Sequence, residues 1–121
     1  QIETQNRAKG GSMRIKDLQK EVHAIAKDKG WHDMPRTTGD LIALCHSELS
    51  EALEETRFAG RPVTEIFLGD IKPQGFPIEL ADTIIRILDM AEQYGIDLEN
   101  ALEVKIAYNR TRPYRHGGKA L

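Results

Sequence analysis

The chain has a single cysteine in 121 residues, so no intrachain disulfide can form, and Cys45 fits a reducing, cytoplasmic setting. It also lacks any apolar run near the roughly 20 residues that a membrane span requires, and its first residues carry no apolar secretion signal. A membrane partner is therefore not expected. Neither sign of charge dominates: 17 Lys plus Arg face 19 Asp plus Glu, for a formal net charge of -2. No global field draws the protein to nucleic acid, and any electrostatic function must come from local patterning. Internal repeats and low-complexity tracts are absent, and the length suits one domain rather than two.

What is present is helical periodicity. Residues 1–12 are polar and close on Gly10-Gly11-Ser12 before Met13, which reads as an upstream linker or expression remnant; residues 13–121 form the domain. Ile15, Leu18, Val22, Ile25 and Ala26 recur at steps of three and four, predicting a first helix from Met13 to about Lys29 that Gly30 ends. Thr38 or Asp40 is expected to cap a second helix reaching about Phe58. The connection 59–77 holds Gly69, Pro73, Gly75 and Pro77 and is long for a compact domain; within it Ile66-Phe67-Leu68 reads as a short strand or a subunit contact. Pro77 suits the first turn of a third helix that Gly95 stops, and Asp97 caps a fourth that runs to about Arg112. The expected fold is thus all-α, with four helices and a thin core.

The chemistry-bearing signal is acidic. Glu48 and Glu51 lie three apart on the second helix, and Glu79 and Asp82 lie three apart on the third. Residues at that spacing project from one side of a helix. Stepped around the second helix, Glu48 falls at the margin of the apolar stripe Leu41, Cys45, Leu49 and Ala52, a poor place for simple solvation. Asp82 lies beside the apolar arc of Ala81, Ile84, Ile85 and Leu88. If the two helices pack antiparallel, four carboxylates converge, and a cation is the usual remedy for their repulsion. Oxygen ligands without a Cys or His cluster favour Mg²⁺ or Mn²⁺ over zinc. The competing reading is two ordinary acidic pairs on solvated faces.

Lys105, Asn109 and Arg112 continue the stripe that Leu98, Ala101 and Leu102 begin on the fourth helix, placing cations where a core would be. They suit phosphate; equally, basic residues near a helix C-terminus offset its dipole. Trp31 either stacks on a nucleobase or anchors a core or interface. His32 and His46 lack zinc-ligand spacing with any cysteine, so surface or capping roles are expected, and Cys45 reads as a buried structural thiol.

Glu48-Leu49-Ser50-Glu51 and Glu79-Leu80-Ala81-Asp82, followed by Lys105-Ile106-Ala107-Tyr108-Asn109-Arg110-Thr111-Arg112-Pro113, resemble the ExxE and ExxD signature and the cationic last helix of the MazG-type all-α nucleoside triphosphate pyrophosphohydrolases. The segment from Lys72 to Asp82 adds to the likeness, which extends over most of the chain from Trp31 onward. The resemblance implies a four-helix MazG-like bundle whose core is completed by oligomerisation, as a homodimer or a dimer of dimers. It implies Mg²⁺ held by Glu48, Glu51, Glu79 and Asp82, with Mn²⁺ a possible substitute and with Glu48 or Glu51 as proton acceptor. It also implies phosphate contacts from Lys105, Asn109 and Arg112, and a base beside Trp31. The implied reaction is hydrolysis of a nucleoside or deoxynucleoside triphosphate to the monophosphate and pyrophosphate.

Two other classes compete. One is a helical module that binds a nucleotide or a protein without hydrolysis. The other is a carboxylate-bridged di-iron bundle, disfavoured because neither acidic pair has the Glu-x-x-His form.

Overall fold

A computed structural model describes residues 13–57, 60–115 and 120. Residues 1–12, the expected second-helix end at Phe58, and the basic tail at 116–119 lie outside the described residues. Four helices carry the fold: α1 (Ile15–Asp28), α2 (Thr38–Glu55), α3 (Phe76–Gln93) and α4 (Leu98–Thr111). Between α2 and α3 sits one small antiparallel hairpin, β1 (Phe67–Leu68) and β2 (Pro73–Gln74). No helix of the described residues is long and apolar enough to cross a membrane.

The local chemistry explains the boundaries. Thr37, one residue ahead of the expected cap, precedes α2: its hydroxyl accepts from the Asp40 amide at 3.0 Å, and the Asp40 carboxylate accepts from the Thr37 amide at 2.9 Å. This reciprocal capping box satisfies two amides that a lone Thr38 cap could not. Asp97 caps α4 as expected, accepting from the Asn100 amide at 3.0 Å. Gly30 and Gly95 follow α1 and α3 at positive φ, the conformation that ends a helix at least cost to glycine.

α3 is the central helix, packed against both α1 and α2, whereas α4 packs on α1. The Glu99 side chain accepts from the Lys16 amide, so an acid of α4 closes the otherwise uncapped start of α1. Val22, Leu41, Ala52, Leu88 and Ala91 form the buried apolar core, joined by the polar Gln19, Glu48 and Thr83. Gln19 is tied down by donating to Glu92 and to the Ile96 carbonyl.

The apolar stripes are only partly buried. Leu49 of the expected α2 stripe is 48% exposed, and Ile84 of α3 is 52% exposed. Glu48 occupies the inner position instead, because α3 offers it a cation there. The stripe expected on α4 is mostly exposed: no residue of that helix is buried, and within it only Leu98 and Glu99 are half-buried.

The hairpin aims the start of α3. Gly75, at φ 121°, is the N-cap of that helix, and a Cβ on it would meet the Glu65 carbonyl oxygen. Gly95, at φ 66°, faces open space. Gly95→Ala should therefore cost about 1 kcal/mol for the left-handed backbone alone. Gly75→Ala should cost clearly more, about 2 kcal/mol or above, because strain and collision add. Urea denaturation of the two variants beside the parent checks the order, and equal losses would contradict this account of the α3 N-terminus.

Candidate functional site

Glu48 and Glu51 leave α2 toward α3, where Glu79 and Asp82 leave the first two turns of the partner helix. Carboxylate oxygens of Glu48, Glu51 and Glu79 all lie within 4.8 Å of one another. Glu48 is buried, Glu79 and Asp82 are half-buried, and Glu51 is exposed at the rim. Like charges this close raise each other's pKa, and withdrawal from water adds to the effect. Burial, then the charges of Glu51, Asp82 and Glu48, push Glu79 up to about 7. Hydrogen bonding and repulsion from Glu48 raise Glu51, and burial followed by the Glu48 charge raises Asp82. Glu79 Oε2 is buried with no hydrogen-bond partner.

Arg86 is the counterweight. Its Nε donates to Glu48 Oε1 at 2.7 Å, and its charge lowers the Asp82 pKa, as does that of Lys72 on the hairpin. A buried carboxylate without such a partner would cost several kcal/mol. The same guanidinium stands 5.1 Å from the centroid of Trp31, and that of Arg36 stands 5.5 Å away, so two cations lie near the indole.

Part of this constellation lines one cavity of about 320 Å³ between α1, α2 and α3. Glu48 and Asp82 line it together with Trp31, Arg36, Arg86 and Asp89, and the rest of its wall is mostly aliphatic. An apolar pocket of that size with a few convergent polar groups is the usual form of a small-molecule site. Trp31, 46% exposed, offers it an accessible aromatic face.

Glu48, Asp82 and Trp31 thus line one pocket, and Glu51 and Glu79 gather beside Glu48. Lys105, Asn109 and Arg112 do not join them within the protomer. Lys105 and Arg112 instead stand over the Tyr108 ring of their own helix, at 5.0 and 5.6 Å. Among the described residues, no hydrogen bond or ion pair links these three side chains to the acids.

The structure corrects two expectations about single side chains. His32 is not a surface or capping residue: it bonds the Asp89 carboxylate, as does His23, while His46 is exposed. Cys45 is half-buried rather than fully interior, and desolvation raises its pKa, in keeping with an unreactive thiol. Arg86, Asp89, Lys72 and Arg36 were missed by reading acidic pairs alone. The signal for two of them was there: Glu79, Asp82, Arg86 and Asp89 follow at steps of three, four and three, a charged stripe along α3.

Comparison of the chain with protein-family models, with curated proteins and with solved structures finds no match.

The raised Glu79 pKa has a stability consequence. A carboxyl that titrates at about 7 in the fold and at 4.5 unfolded stabilises the native state when protonated. Its contribution is greatest below about pH 4.5 and is lost as pH rises through about 7. In chelator, the melting temperature should therefore rise on acidification through that window, and Glu79→Gln should flatten the rise. A Glu79→Gln profile parallel to that of the parent would show that the acids do not crowd in solution.

Proposed function

We propose that the protein is a cytoplasmic, Mg²⁺-dependent nucleoside triphosphate pyrophosphohydrolase of the MazG-like kind. It would cleave a nucleoside or deoxynucleoside triphosphate to the monophosphate and pyrophosphate. The observation that carries the reading is the shared cavity: Trp31 and aliphatic walls for a base at one part, and Glu48 and Asp82 of the acidic cluster at another.

The acids fit the proposed metal. Their donor set is all oxygen, the choice of a hard cation, and the unpartnered Glu79 Oε2 leaves a buried lone pair to satisfy. Glu48, Glu51, Glu79 and Asp82 would hold it. When bound, Mg²⁺ supplies neutralisation of the polyphosphate charge and lowers the pKa of a coordinated water. Glu51 is the better proton acceptor of the α2 pair, because Glu48 is engaged by Arg86 while Glu51 stands at the exposed rim. Lys72, beside Asp82, is a phosphate contact available inside the protomer.

Exposed apolar stripes support the self-association that this reading implies. Ile42, Leu49 and Leu53 on α2, and Leu80, Ile84 and Ile87 on α3, leave outward apolar stripes at helical spacing. A second copy covering them would complete a four-helix core, and in a homodimer or dimer of dimers α4 can bring Lys105, Asn109 and Arg112 to a neighbour's acids. The position of those three residues in the isolated protomer also keeps the non-catalytic nucleotide-binding module as the second reading.

Turnover separates the two. Purified protein with a panel of nucleoside triphosphates and Mg²⁺ should release pyrophosphate, and Glu48→Gln or Glu51→Gln should reduce kcat by at least about 100-fold with the circular dichroism unchanged. Binding without any metal-dependent release would leave only the binding module. Light scattering should find a dimer or tetramer, and Leu49→Glu with Ile84→Glu should shift it toward monomer; a monomeric parent protein would remove the role given to these stripes.

A further inference from the structure

A second cluster of donor atoms lies where α1, the turn after it, and α3 meet. His23 Nδ1 stands 2.7 Å from Asp89 Oδ1, and His32 Nε2 stands 2.9 Å from that same oxygen and 3.0 Å from Oδ2. The three side chains are about one-fifth exposed, at 20%, 21% and 18% for His23, His32 and Asp89. The imidazole planes meet at 66° with centroids 4.8 Å apart, so the rings converge on the carboxylate rather than stack. One nitrogen from each ring and one carboxylate oxygen all lie within 4.8 Å of one another.

We infer that His23, His32 and Asp89 form a binding site for a divalent transition metal of the zinc class, separate from the acidic cluster and independent of the hydrolase reading. Two imidazole nitrogens and one carboxylate are the donor set that borderline ions choose and Mg²⁺ avoids. Donors around a four-coordinate zinc, at about 2.0 to 2.1 Å from it, stand roughly 3.3 Å apart, so each nitrogen need move from the shared carboxylate oxygen by only about half an ångström. Without an ion, each ring donates an N–H to Asp89. With one, those nitrogens present lone pairs and each ring proton moves to the opposite ring nitrogen, so the neutral rings keep their protons and change only tautomer. The remaining exposure leaves the fourth position to water.

The site has a structural consequence. His32 follows Trp31 directly, and Asp89 lines the cavity that Trp31 walls. An ion bridging His32 to α1 and α3 fixes the turn that carries the indole. The chain's only tryptophan is thus a built-in reporter of occupancy.

Cobalt is the probe. Full-length protein freed of metal with chelator and titrated with Co²⁺ should develop a visible ligand-field band that saturates at one equivalent per chain, with a change in Trp31 fluorescence over the same titration. His23→Ala and His32→Ala should each abolish the band, whereas Glu79→Gln should keep it. His32→Cys preserves a donor at that place and should retain the band while adding a thiolate charge-transfer absorption in the near ultraviolet, which guards against loss through misfolding of the alanine variants. Absence of a band at stoichiometric cobalt, its survival in His23→Ala and His32→Ala, its loss in Glu79→Gln, or no charge-transfer absorption in His32→Cys would each overturn the assignment.

Discussion

The seam between α2 and α3 has to keep Glu48 away from bulk water, and the Arg86 guanidinium makes that tolerable by donating to it at 2.7 Å. Most of the site follows from this pairing. With Glu48 drawn inward, Glu51 is left at the rim of the same helix face, and the acids of α3, four and seven residues before Arg86 and one turn apart, are forced into its company. Arg86 offsets one charge of the group, and the pKa values of Glu79 and Asp82 stay raised by burial and by their acidic neighbours. The same guanidinium stands over the Trp31 ring. One arginine therefore touches both the charged and the aromatic part of the cavity, and the position of the indole cannot change without altering the environment of Glu48.

Much of the helical frame was legible because caps and stops are local chemistry. Thr37 with Asp40, Asp97, Gly30 and Gly95 act within one turn of themselves, and their effect does not depend on what packs alongside. The unfavourable place of Glu48 was legible for the same reason, since it needs only the turn angle of one helix. Arg86 and Asp89 were not found, because a charge on a helix reads as solvated until its partner on another helix is known. His23 and His32 are the sharper case: nine residues and a helix end separate them, and only the return of α3 places Asp89 between them. Periodicity also misjudged α4. A stripe in sequence states that a face can be covered and is silent on whether the same chain supplies the cover.

The hairpin shows how a connection of uncertain structure acquires a function. Its antiparallel register pairs Phe67 with Gln74 and Leu68 with Pro73, and it delivers the chain to Gly75 at an angle that only a residue without a Cβ accepts. From there Glu79 is fixed one turn into α3. Lys72 is carried near Asp82 by the same element. The length of the connection, a poor feature for a bare link between two neighbouring helices, is spent on aiming the start of α3 and on bringing a cation to the acids.

Although Leu88 and Ala91 of α3 enter the core, polarity over its first three turns runs against what a helix ordinarily adopts, and that constrains the working form of the protein. Glu79, Asp82, Arg86 and Asp89 are half-buried among the other helices, while Leu80, Ile84 and Ile87 face outward. A helix arranged so loses apolar burial on one side and solvation of charge on the other, and the buried apolar core is small, five residues among those described. Arg86 and the two histidines answer part of the inner cost through direct bonds. The rest of it falls on Glu79, whose inner oxygen has no donor, and a cation is the partner that satisfies such an atom without requiring a proton. The outer cost has a matching remedy in a second apolar surface, for which the exposed stripe on α2 lies alongside on the neighbouring helix. The proposed metal and the proposed second copy would each relieve one side of the same helix.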